Sequence, residues 1–98
     1  MAEEIGSPSA TVRDEPARDR YEIEIDGAVA VLEYRRRPGV ITLLHTEVPA
    51  ALRGHGLADR LARAALDAAR ADGLKVIPVC PFVKQFLERH PEYRPLVL

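Results

Sequence analysis

Arg53-Gly54-His55-Gly56-Leu57-Ala58 sets two glycines, an arginine and a small residue immediately ahead of an apolar run with helical spacing. Glycines let bare backbone approach a ligand, and the first amides of a helix have no partner inside it, so they point outward with the positive end of the helix dipole behind them. Phosphate is the natural guest of such a loop, and Arg53 adds a fixed charge beside it. The alternative is a plain strand-to-helix connection. Cys80, the only cysteine, stands at the end of a short apolar run and just before Pro81, a good first residue for a helix. A helix start favours thiolate over thiol, which suits a nucleophile. The other reading of Cys80 is a small buried hydrophobe. His45 and Glu47 are two apart on a strand that runs into the glycine loop, so they share a face, and either is able to take a proton. Against that stand a strand histidine satisfied by a backbone carbonyl and a solvent-facing glutamate. His55 is expected to face solvent or to brush bound phosphates, and His90, before Pro91, to end a helix. The three histidines, scattered over strand, loop and helix end, show no metal-ligand spacing.

These groups need a scaffold, and the sequence outlines one. Residues 1–18 mix Ser7, Pro8, Ser9, Pro16 and scattered charges without an apolar period, which predicts a loose tail ahead of a domain over 19–98. From Tyr21, apolar Tyr21, Ile23 and Ile25 alternate with Glu22, Glu24 and Asp26, as on a strand. Asp26-Gly27 suits a two-residue hairpin turn into a second strand over 28–34. Arg35-Arg36-Arg37 reads as a solvated hairpin end or, alternatively, a contact to a ligand phosphate, and Pro38-Gly39 turns the chain into a third strand, Val40 to Val48. Leu57, Leu61, Ala65 and Ala69 fall four apart, which predicts an amphipathic helix of about four turns, stopped by Gly73. Leu74 to Val79 is a short strand whose Pro78 argues for an edge or for a place where the ladder is interrupted. Strand, long helix, strand implies a parallel crossover. A second helix from Pro81, with Phe82, Val83, Phe86 and Leu87 inward, ends at His90-Pro91.

The glycine loop in this setting resembles the Arg/Gln-x-x-Gly-x-Gly/Ala signature of the GNAT superfamily of acyl-CoA-dependent N-acetyltransferases. The signature lies after an antiparallel strand and opens a long helix followed by a parallel strand. His45 to Pro49, Leu52 to Ala58, and Val79 to Val83 with Phe86, Leu87 and Pro91 resemble the small, minimal members of that group. The resemblance covers roughly residues 20 to 94. It implies an α+β GNAT-like fold: a three-stranded antiparallel meander, a long helix, a parallel fourth strand and a short C-terminal helix. It also implies that Val48 and Arg53, Gly54, His55, Gly56, Leu57 and Ala58 bind acetyl-CoA, the pyrophosphate resting on the loop. Cys80 matches a cysteine proposed to carry the acetyl group in minimal members, His45 matches a recurrent histidine, and Glu47 a strand carboxylate used as general base. Asp26-Gly27 leaves no room for the helices that usually wall the acceptor pocket.

With 98 residues there is room for one core. A formal charge of −1 gives no field for holding nucleic acid or an anionic membrane, and no apolar run reaches the roughly 20 residues of a membrane span. The start lacks a signal-peptide pattern, so the expected location is the cytoplasm, and the expected state a monomer or weak homodimer. Three functions remain in view: an acetyltransferase acting on an amine, a CoA-binding module without turnover, and an interaction domain whose glycine loop is structural.

Overall fold

Asp26 and Gly27 have φ of 53° and 82°, the pair of left-handed conformations that a two-residue hairpin turn demands. They join two strands, and Gly39, with φ of 78°, turns the second of these into a third. The computed structural model describes residues 11–98. Its strands are β1 (Arg13–Glu15), β2 (Arg20–Ile25), β3 (Ala28–Arg37), β4 (Val40–Glu47) and β5 (Lys75–Pro78). They form one sheet in sequence order, antiparallel from β1 to β4, with β5 parallel to β4. Helix α1 (Leu57–Ala71) makes the crossover, and α2 (Pro81–Arg89) follows β5. The architecture is the expected α+β arrangement with one more antiparallel strand.

That extra strand corrects the expectation of a loose tail through residue 18; the part of that expectation on residues 1–10 lies outside the described residues. Arg13 to Glu15 pair with Glu22 to Arg20, and a 3-10 turn over Pro16–Arg18 connects the two strands. The segment has no apolar period because side-chain bonds hold it. Tyr34 donates to the Asp14 carboxylate at 2.6 Å, while Arg13 (3.2 Å), Arg18 (3.0 Å) and Arg20 (2.6 Å) all donate to Glu22. Beneath these arginines Glu22 is only 2% exposed.

Tyr21, Ile23, Ala30, Leu32, Tyr34, Ile41, Leu43 and Val76 share one core with the apolar stripes of α1 and α2, so both helices cover the same face of the sheet. Each fully buried Leu, Ile or Phe there contributes about 1.5–3 kcal/mol. Val31 and Glu22, though buried, stand outside that core on the opposite face, which no helix covers among the described residues. Phe82, expected to point inward with Val83, Phe86 and Leu87, is only partly buried. β5 is the edge strand that Pro78 suggested, and Val97 makes a further parallel bridge to its Val76. Arg35, Arg36 and Arg37 are exposed, with Arg36 reaching Asp72 at 3.4 Å.

The bond from Arg20, helped by Arg18, holds the Glu22 carboxyl below its ordinary range against the opposing effect of burial. Its stabilisation is therefore present above the ordinary value of 4.5 and lost as pH falls below it. Glu22→Gln should lower stability by more than the roughly 0.5 kcal/mol typical of surface changes and flatten the acid limb of the stability profile. Urea unfolding between about pH 3 and 7 measures both; an unchanged acid limb would assign the pH dependence elsewhere.

Candidate functional site

The loop ahead of α1 is built stepwise from the end of β4. A 3-10 turn over Ala50–Leu52 buries Leu52, and Arg53 bends back so that its Nε donates to the Val48 carbonyl at 3.0 Å. Gly54 and Gly56 have φ of 83° and 74°, a region in which side chains with a Cβ are strained. Gly56 caps α1 without a side-chain bond, and the first intrahelical bond runs from the Arg60 amide to the Gly56 carbonyl at 3.1 Å. The amides of Leu57, Ala58 and Asp59 lie ahead of that bond, at the positive end of a 15-residue helix. Here a cavity of about 280 Å³ is lined by Val48, Leu52, Arg53, Gly54, Gly56, Leu57, Ala58, Asp59 and Phe82.

A second cavity, of about 390 Å³, continues from the first, sharing Val48, Arg53, Ala58 and Phe82 and adding His45, Thr46 and Glu47. It exists because β4 and β5 part. Their pairing ends at Leu43 beside Pro78, where the Leu43 carbonyl accepts from the amides of both Val79 (3.0 Å) and Cys80 (2.9 Å). The chain then enters α2, while β4 runs on to Glu47 with β3 as its one strand neighbour among the described residues. The cavity follows that free edge.

A register shift decides which side chains face where. Leu43 pairs with Tyr34 but His45 with Glu33, so Leu44 is an extra residue in β4. Beyond it the faces exchange: Thr46, beside buried Leu32, turns to the helix side, while His45 and Glu47 turn to the open side. His45 Nε2 lies 3.6 Å from Glu47 Oε1, the two side chains 58% and 71% exposed. The expectation that they share a face agrees with this geometry. Cys80, by contrast, is 2% exposed on the helix side, its Sγ 3.3 Å from Thr46 Oγ1, and it lines neither cavity.

Of the loop residues anticipated as ligand contacts, Arg53, Gly54, Gly56, Leu57 and Ala58 border the first cavity together with Val48. His55 is exposed and borders neither. His90 ends α2 with its ring 4.2 Å from that of Phe86. Sequence reasoning missed three contributors. Thr46 touches Cys80 only because of the extra residue in β4. Phe82, assigned to the core, is a wall of both cavities. Asp59 places a carboxylate at the first cavity, where Arg89 of α2 neutralises it through bonds of 3.2 and 3.4 Å; its position in the first helical turn was the available signal.

Comparison with known proteins agrees with this geometry. Residues 20–96 match the family described as GCN5-related N-acetyl-transferase. Protein NATD1 of Xenopus tropicalis is 34% identical over 90 residues, covering 86% of this chain and 82% of that protein. Human NATD1 is 34% identical over 92 residues, covering 90% and 80%. The solution structure of a GCN5-like protein of Staphylococcus aureus superposes with a TM-score of 0.71 at 29% identity, covering 93% of this chain and 90% of that one. A five-stranded mixed sheet opening beside a glycine loop, and a family match over nearly all the described residues, lead to one conclusion: this chain belongs to the GCN5-related N-acetyltransferase family.

Proposed function

We propose that the chain binds acetyl-CoA along the free edge of β4 and transfers its acetyl group to an amine. The observation that carries this reading is the continuity of the two cavities, from the outward amides at the start of α1 to the carboxylate of Glu47. The fit is chemical as well as spatial. Open amides, the helix dipole and the remaining Arg53 donors suit a pyrophosphate, the apolar walls Val48 and Phe82 suit a pantetheine arm, and the unpaired β4 backbone offers that arm amide partners. Bound there, acetyl-CoA supplies an activated thioester carbonyl.

Glu47, with His45 beside it, takes one proton from the acceptor's ammonium, directly or through water, to free the amine lone pair; the N–C bond then forms as the C–S bond breaks, and the second proton passes from nitrogen to the leaving sulfur, giving a neutral amide and a thiol. Direct transfer is favoured over a relay through Cys80 by exposure. The His45/Glu47 pair is open to solvent and borders the cavity, whereas Cys80 is covered and tied to Thr46.

CoA at a hundred times its dissociation constant should add roughly 2.7 kcal/mol to stability, read as a thermal shift. No shift with CoA or acetyl-CoA would overturn the proposal. Arg53→Ala should weaken CoA by tenfold or more while leaving pantetheine nearly unaffected; equal losses would reduce Arg53 to a tie between its loop and the Val48 carbonyl.

Gly56→Ala meets no atom within 4 Å of the added Cβ, so its cost, about 1–2 kcal/mol by urea unfolding, comes from the left-handed backbone alone. The same Cβ stands at the mouth of the phosphate site and should reduce CoA affinity at least tenfold.

Steady-state transfer separates the two chemical routes. Glu47→Gln should lose about a hundredfold in rate, and Cys80→Ala should keep most of it. The reverse pattern, with an acetyl thioester trapped on Cys80, would establish the relay.

A further inference from the structure

The helix-free face of the sheet holds another groove, of about 340 Å³, bordered by Arg20, Val29, Val31, Glu33, Glu47 and Pro49. Strand register arranges it: Val31 lies beside Glu47, and Glu33 beside His45. Glu47 borders both this groove and the β4-edge cavity, so the two are neighbours across one side chain. Arg20, opposite Glu33 in the β2–β3 register, is the one positive charge in the lining, and its Nε is turned to Glu22 at 2.6 Å. Glu33 makes no hydrogen bond or ion pair among the described residues. Among the described residues Glu47 meets His45 alone, at 3.6 Å. The groove thus offers an apolar floor, Val29 and Val31, that ends against two carboxylates outnumbering the single Arg20, and the Glu33 carboxylate has no side-chain partner among the described residues.

Such a surface discriminates by charge. An alkyl stem gains by covering the valines, a cationic head gains from both carboxylates, and an anionic head is repelled by them. We propose that this groove is the acceptor site, taking a primary alkylammonium whose head lies between Glu33 and Glu47 and whose stem runs over Val31 toward Val29. Glu33 is then the specificity-determining residue, and Glu47 is where the bound cation surrenders its proton. The inference rests on the transfer reaction proposed above and names its second substrate. A free alkylamine and a peptide lysine present the same chemistry, and titration tells them apart.

The test follows backbone amide signals of isotope-labelled protein, with and without desulfo-CoA. The probes are hexylamine, Nα-acetyl-lysine methylamide and, as the charge control, hexanoate. At least one amine should shift Val29 to Glu33 and Glu47 with saturation, hexanoate should leave them in place, and Glu33→Gln should weaken the amine tenfold or more while retaining cooperative melting. The amine bound tenfold tighter identifies the source; comparable affinities mean that the groove reads only the head and stem. Amine shifts confined to other surfaces, equal shifts with hexanoate, or full amine affinity in Glu33→Gln would overturn the proposal. Amine binding in the groove without any response to CoA would instead overturn the transfer reaction, so the two failures are distinguishable.

Discussion

The Leu43 carbonyl accepts from two successive amides, Val79 and Cys80, and at that oxygen β4 and β5 cease to be neighbours. One strand cannot keep pairing while its partner turns into a helix, so the last residues of β4 keep a free edge. Everything at the site follows from this parting. The gap is as long as β4 extends beyond Leu43, its far wall is the first turn of α2 with Phe82, and its floor at the other end is the start of α1. Leu44 adds the second half of the arrangement. Had β4 kept an unbroken alternation through Leu44, with no bulge to absorb it, His45 and Glu47 would point into the core beneath the helices, where an unpaired carboxylate would be costly, and Thr46 would face away from them.

The two faces of the sheet solve different problems. The helix side is packed with aliphatic and aromatic groups and contains Cys80 and Thr46 as a closed polar contact. On the other side no helix packs among the described residues, and around Glu22 charges are held by one another: three arginines converge on it and fix β1 against β2. Charge pairing there leaves the face open to solvent without leaving buried polar groups unsatisfied.

How much was legible in the sequence depended on the range of the interaction. The Asp26-Gly27 turn, the stripe of α1, the start of α2 at Pro81 and the glycine loop are local, and each carries its own signal within a few residues. The shared face of His45 and Glu47 was legible because the two stand on the same side of the irregularity. β1 was not, since Asp14 is held by Tyr34, twenty residues away, and Glu22 by arginines from two segments. Nor was the exchange of faces along β4. A bulge is a mismatch in count between two strands, and neither strand alone records it. Cys80 shows the same limit: its place at a helix start was readable, but its burial against Thr46 depends on that mismatch.

The bridge from Val97 to Val76, with the Leu98 amide donating to the Val76 carbonyl at 2.9 Å, bears on how this sheet meets other molecules. A bare edge strand is a template on which foreign strands can grow into fibrils. Here one edge is the three-residue β1, too short to template much, and the other is a four-residue strand whose middle already has a companion from its own chain. Among the described residues, the long stretch of strand edge left unmatched is therefore the inner edge of β4 beyond Leu43, recessed between α1 and α2. A rigid neighbouring sheet cannot enter that recess, so this free edge is shaped to refuse polymerisation.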